Sequence, residues 1–291
     1  MKMTKAIGSR KSVKRLFIFC LPLLALQVPL LAQEKSETIK KSFRMDAARP
    51  AALEFHDVDG NLYLSPSADN TMAVRIKKEV RSRDGKRAER LLRETKVAID
   101  QRGNTLSIRI KYPRFRGFFF WLTDNQRVKV TSEISVPANT RIKADLVDGS
   151  ISGDGLQGDL DLKIVDGDIR LSQLRGTIKA NAVDGQINVS GDMKGLELQS
   201  VDGDIRVSLS PASAMAKDWE IRTVDGDVEI SLPADFSADL GVQTSDGRIE
   251  TDFPLGVTKG ITKKKLIGKL GGGGFLFSIR TTDGRVSLRK K

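Results

Sequence analysis

Carboxylates at short, repeated intervals are the residues of this chain best placed to do chemistry. Asp166 and Asp168, Asp202 and Asp204, and Asp225 and Asp227 form three pairs, each pair flanking a glycine. Oxygens so arranged could coordinate calcium, and two carboxyls about 5 to 9 Å apart could serve as acid and base on a glycosidic bond. Against calcium, the glycine-rich nonapeptide of calcium-binding β-rolls is missing. Against hydrolysis, a residue that recurs along the whole chain nominates no one pair. Backbone N–H groups satisfy aspartates of this kind in turns. The preferred reading is therefore a structural turn, with no metal and no cofactor.

Other chemistry is excluded more simply. His56 is the only histidine and Cys20 the only cysteine, so neither a transition-metal site nor a histidine-activated nucleophile can be assembled. Next to inward-facing Phe55, His56 is expected to point outward and do nothing. Gly153 to Gly158 matches a dinucleotide fingerprint by letters, but that motif needs a helix behind it. Asp159 to Val165 alternates as a strand, which makes the match a turn between repeats.

The elements that position these aspartates are written around them. Asp59-Gly60, Asp148-Gly149, Asp166-Gly167, Asp184-Gly185, Asp202-Gly203, Asp225-Gly226, Asp246-Gly247 and Asp283-Gly284 share one apolar frame. The residues six and four places before each Asp are all apolar, from Leu53 and Phe55 to Phe277 and Ile279. Those three and five places after it are apolar too, except Gly153 and Thr251. Period two on both sides of a turn dipeptide predicts a strand-turn-strand unit with one buried face. From Asp148 to Asp202 the interval is a constant 18 residues, then 23 and 21, with Ser210 to Lys217 as a bulged loop. Constant spacing is what stacked coils require, since each lays its apolar residues on the next. The fold expected is all-β, a single-stranded β-solenoid of about 18-residue repeats with one short helix. An antiparallel β-sandwich remains the alternative, because Asp-Gly between alternating strands is also a hairpin signal.

Organisation follows from composition. Lys2, Lys5, Arg10, Lys11, Lys14 and Arg15 precede an apolar run from Leu16 to Ala32, interrupted by Pro22 and Pro29. That pattern reads as a signal peptide over residues 1–32, implying export to the periplasm or cell surface. Residues 33–291 then form one β-repeat domain without thiols. Its 33–136 part carries a helix at 84–95 and an aromatic loop at 112–122, and 137–291 holds the tandem repeats. The helix is expected to cover an open end of the stack. Beyond the leader 43 basic residues face 37 acidic ones. For an exported chain nucleic acid is excluded as a partner. An envelope glycan, a membrane surface or another envelope protein fits instead.

Tyr112, Phe115, Phe118, Phe119, Phe120 and Trp121 gather six of the sixteen aromatics into ten residues with Arg114 and Arg116. They cannot all point inward on one strand. The segment either folds over the end of the stack or grips a bilayer or a partner. It is the binding candidate that the sequence offers.

The opening FRMDAARPAALEFHDVDGNLYL, the SEISVPANTRIKADLVDGSI junction, the tandem VDGDI units and the glycine run GGGGFLFSIRTTDGRVSL resemble the bacterial family DUF4097 over roughly Phe43 to Leu288. The resemblance implies an exported β-repeat protein with an adhesin-like label and supplies no catalytic residue to carry over. Val-Asp-Gly stands here where many relatives have Val-Ser-Gly. The function expected is a non-enzymatic binding scaffold of the cell envelope. A glycan-active enzyme working through the repeat aspartates, or a component that senses envelope stress, is the alternative.

Overall fold

The computed structural model describes residues 33–82, 84–113, 128–254, 256–257 and 264–291. Strands β1 (Gln33–Arg44), β2 (Ala52–Pro66) and β3 (Thr71–Ser82) lead to helix α1 (Gly85–Glu94). Then come β4 (Lys96–Arg102), β5 (Thr105–Lys111), β6 (Val128–Val136), β7 (Arg141–Asp154), β8 (Gln157–Asp184), β9 (Ile187–Gln199) and β10 (Ile205–Leu209). The chain ends through β11 (Trp219–Arg222), β12 (Val228–Leu232), β13 (Ala238–Asp246), β14 (Ile249–Thr251), β15 (Gly256–Val257), β16 (Lys265–Leu270), β17 (Leu276–Asp283) and β18 (Val286–Lys290).

Equivalent repeat residues lie in parallel register. Ile142 pairs with Leu160, Asp148 with Asp166, Ile169 with Ile187, and Ile205 with Val228. Parallel pairing of successive units establishes the β-solenoid and rules out the antiparallel sandwich, in which the Asp-Gly turns would join hairpins. Each coil has one arm before the turn and one after it, and the apolar frame of both arms points inward. All sixteen residues of the leading arm are buried. Gly153 leaves a gap in its row that Leu156 fills, since a Cβ there would come 2.7 Å from the Leu156 side chain.

The turn glycines, more than the aspartates, set how closely coils approach. Gly167 holds φ +136° and stands so near the coil below that a Cβ would fall 1.8 Å from the Gly149 carbonyl oxygen. Only a residue without a side chain fits that ladder.

Stack order departs from chain order at both ends. The Asp59 coil lies directly on the Asp148 coil, so β3 through β6 are an insertion between stacked neighbours. At the other end β17 pairs with β11 on one side and β13 on the other, and β18 lies between β12 and β14. The last coil in sequence, that of Asp283, is thus wedged between those of Asp225 and Asp246. Trp219, Phe236 and Phe277 meet at this wedge, with ring centroids 5.6 and 5.5 Å from the Trp219 ring.

At the N-terminal end β6 and β5 lie parallel on the two arms of β2, and β3, β1 and β4 are added antiparallel beyond them. β6, β3 and β1 extend one arm, and β5 and β4 the other. Helix α1 begins at Asp84, whose side chain accepts from the Lys86 and Arg87 N–H groups, and it buries Ala88, Leu91 and Leu92 against β3 and β1. Lys78 of β3 points inward beneath the helix. Its ammonium donates to the Leu92 and Thr95 carbonyls at 2.8 and 3.0 Å and pairs with Glu37 at 2.8 Å. A cation at the helix C-terminus satisfies carbonyls that the helix itself cannot.

Candidate functional site

Four and six residues after each turn aspartate the side chains stand on the outer face of the trailing arm. The first row reads Tyr63, Ser152, Arg170, Asn188, Arg206 and Glu229, each in register with the next across six coils. The second reads Asp154, Ser172, Ser190, Ser208 and Ser231. Together they line a groove of about 760 Å³ that crosses the coils, with the edges of Leu64, Leu171, Val189 and Val207 in its floor. That volume lies within the range of ordinary ligand sites.

The regular ladder is broken inside this groove. Leu171 pairs with Val189 and Leu174 with Gly191, so Ser172 and Gln173 form a β-bulge, with Gln173 at φ +52°. Bulges redirect side chains and concentrate beside binding sites. Ser172 Oγ donates to the Asp154 carboxylate of the coil before it.

Charge along the groove is balanced. Arg206 pairs with Asp204 at 2.7 Å and donates to Gln186 Oε1 at 3.0 Å. Arg170 pairs with Asp168. Both guanidiniums are thereby held by the coil wall and still reach the groove with side chains about half exposed. Asp154 and Glu229 are its acidic members and stand four coils apart, about 19 Å at the usual strand spacing. Acid-base hydrolysis of a glycosidic bond needs carboxyls no more than about 9.5 Å apart. The groove offers hydroxyl, amide and guanidinium groups at strand spacing, with a half-exposed tyrosine ring at one end. That is chemistry for holding a ligand.

The aspartates singled out as calcium candidates fall into two rows. Asp168, Asp204 and Asp227 each accept a backbone N–H from the next coil, of Gln186, Asp227 and Arg285, at 2.7 to 2.9 Å. Each also pairs with an arginine: Arg170, Arg206 and Arg285. Asp166, Asp202 and Asp225 stand exposed at the turn tips. Among the described residues no cluster of three or more His, Cys, Asp or Glu is placed to hold a metal ion. His56 is half-buried, with Nδ1 3.1 Å from the Asp145 carboxylate of the neighbouring coil.

Of the aromatic segment, Phe115, Phe118, Phe119, Phe120 and Trp121 lie outside the described residues. Tyr112 is described, and it tethers the start of that segment to the first coil. Its hydroxyl donates to Asp57 Oδ1 at 2.8 Å and also contacts the Asp59 carbonyl. Asp57 is 4% exposed, and burial pushes its carboxyl up to about 6 despite the bonds from Tyr112 and the Val58 and Asp59 N–H groups. Desolvation and the Asp57 charge raise the Tyr112 hydroxyl as well.

Asp57 escaped the sequence reading, although a signal existed. Period two, continued one step past the counted positions, makes the residue two places before each turn aspartate inward as well. That row runs Asp57, Leu146, Ile164, Ala182, Ser200, Thr223, Thr244 and Thr281, all buried. In its later members the hydroxyl reaches the turn carbonyl of the adjacent coil, as Thr223 Oγ1 does to Gly203 at 3.3 Å. In the first coil the position carries a carboxylate instead.

Parallel coils with an inward apolar frame and a ligand-sized outer groove define a β-solenoid repeat protein. The profile of Toastrack DUF4097 matches residues 101–214 and 190–289, and the chain belongs to that family. No curated protein matches the chain. Similar solved structures include three proteins of putative role. An adhesin from Bacteroides fragilis NCTC 9343 is 13% identical, with 87% of this chain and 97% of that one covered and a TM-score of 0.43. A cell adhesion protein from Clostridium sporogenes ATCC 15579 is 12% identical, with 88% and 100% covered and a TM-score of 0.39. A lipid binding protein from Parabacteroides distasonis ATCC 8503 is 11% identical, with 86% and 96% covered and a TM-score of 0.27.

Proposed function

We propose that this chain is a non-enzymatic binding scaffold of the cell envelope or surface that holds an extended glycan across its coils. The groove over the trailing arms carries this reading, because it repeats hydroxyl and planar polar groups at strand spacing over six coils. A polymer of sugar units meets such a surface unit by unit, whereas a compact metabolite would use a closed pocket. Balanced charge favours an uncharged glycan over an anionic membrane surface. Tyr63 supplies the apolar ring face against which a sugar ring can lie. Export rests on the basic and apolar leader of residues 1–32. Among the described residues no helix is long and apolar enough to cross a membrane.

Titration of polysaccharide fractions from the cell envelope into the protein, followed by calorimetry, tests the proposal. Arg170→Ala with Arg206→Ala, and separately Tyr63→Ala, are expected to weaken binding at least tenfold while the circular dichroism spectrum is kept. Binding that survives all three substitutions places the glycan elsewhere. Turnover of the glycan during the titration overturns the non-enzymatic reading.

A further inference from the structure

We infer that β1 is a self-complementary edge through which two copies of this chain join end to end. β1 is twelve residues long and pairs with β3 along one edge, and no described strand pairs with its second edge. Long open edges are hazards that proteins blunt with charge, above all with lysine. Here the charges are not uniform. Glu34 and Glu37 occupy the first half of the strand, and Lys40, Lys41 and Arg44 the second.

An antiparallel pair of such strands about a two-fold axis sets each acidic half against the partner's basic half. Centred on Ile39, the register places Glu37 opposite Lys41, Glu34 opposite Arg44, Ser36 opposite Ser42 and Ile39 opposite its own copy. Two-fold symmetry makes each unlike pair occur twice. Opposite charges directly across a strand pair stabilise it, and like charges oppose it. Neighbouring registers that keep the faces aligned fail this test. Sliding by one pair in one direction sets Lys35 against Lys41, and in the other sets Lys40 against itself. A slip by a single residue would turn Ile39 and half-buried Phe43 away from the side that continues the core. One register therefore satisfies both charge and burial, and the occupant it selects is a second copy.

Both halves of the pattern have roles inside the subunit as well. Glu37 holds buried Lys78, and Lys35 contacts Glu89 of α1. Glu34 and Arg44 are exposed, and the contact Glu34 makes inside the subunit is a surface pair with Arg81 at 3.4 Å, so exchanging them leaves the core and the Lys78 site intact.

Ala32–Lys291 is a compact unit with its own core, and light scattering across a concentration series reads its mass. Wild type is expected to dimerise. Glu34→Arg alone and Arg44→Glu alone each create two like-charge pairs and are expected to raise the dimer dissociation constant at least tenfold. An equimolar mixture of the two variants restores both unlike pairs and should recover dimer as a heterodimer, a result that general destabilisation cannot give. The inference is overturned by a wild type that stays monomeric at millimolar concentration, by a dimer indifferent to both substitutions, or by two weakened variants whose mixture fails to recover.

Discussion

The middle of the stack and its two ends obey different rules. From Asp148 to Asp202 every coil rests on its neighbour in sequence, the interval is fixed, and equivalent residues pair in register. At the ends neighbours in space are far apart in sequence. Residues 67–140 separate the Asp59 coil from the Asp148 coil on which it lies, and the Asp283 coil enters between two earlier ones. Local repetition can be copied unit by unit, whereas a wedged coil forms only after its slot exists. Loop closure on that scale costs entropy before any contact repays it.

Removing the wedge gives the largest expected effect. A chain ending at Gly274 loses β17 and β18, and with them one of the two neighbours of β11, β12 and β13 and, among the described residues, the one partner of β14. Phe277, Ile279, Val286 and Leu288 are all fully buried, at about 1.5 to 3 kcal/mol each. Limited proteolysis should cut the truncated protein freely after Leu209 and leave β2 to β9 resistant. Resistance throughout would mean that the two flanking coils close on each other without the wedge.

Within the middle, one atom suffices. Gly167→Ala places a methyl group 1.8 Å from the Gly149 carbonyl oxygen at a φ of +136°. The coil must shift, at a cost on the order of 4 kcal/mol. Gly272→Ala at the C-terminal end meets nothing within 4 Å and should stay within about 0.5 kcal/mol. Urea unfolding of the two variants beside wild type measures the contrast, and equal effects would refute the ladder as the source of tolerance.

Asp57 sharpens the comparison from the N-terminal side. Its carboxyl titrates near 3.8 in the unfolded chain and near 6 in the fold. Below pH 3.8 it is protonated in both states and burial carries no penalty. Between pH 3.8 and 6 the unfolded chain ionises while the folded protein keeps this proton, so the group's contribution falls by about 3 kcal/mol in all across that window and levels off above it. Asp57→Asn should flatten that part of the stability profile, measured by denaturant midpoints at several pH values. A slope unchanged in the variant would assign the titration to another group.

How far the sequence disclosed this structure depends on how local each feature is. Leu160 and Leu162 announce their burial by counting from Asp166, and they are buried. The helix start at Asp84 is equally local, a carboxylate before a first turn. Nothing near Asp283 says that its coil precedes that of Asp246 in space, because the two carry the same frame and only long-range packing around Trp219 distinguishes their slots. The groove was hidden for a related reason. Its rows occupy outward positions, where Arg, Asn and Ser read as ordinary solvated side chains until the register aligns them. The aromatic segment, by contrast, is dense in one dimension and stands out without any register.

The smallest effect expected concerns the turn aspartates themselves. Stacked about 4.8 Å apart, exposed carboxylates in water repel by under ~1 kcal/mol per neighbouring pair, and salt screens much of that. Asp166, Asp184 and Asp202 are consecutive members of the exposed row. Changing all three to serine keeps a hydrogen-bonding turn residue before each glycine and removes the like charges. Stability at low salt should rise slightly, and the gain that wild type shows on adding salt should shrink. If the triple variant is instead clearly weaker at every salt concentration, the aspartates hold their turns through bonds that serine cannot make. Repulsion along the row would then be the lesser effect, and aspartate rather than glycine would set the middle of the stack apart from its ends.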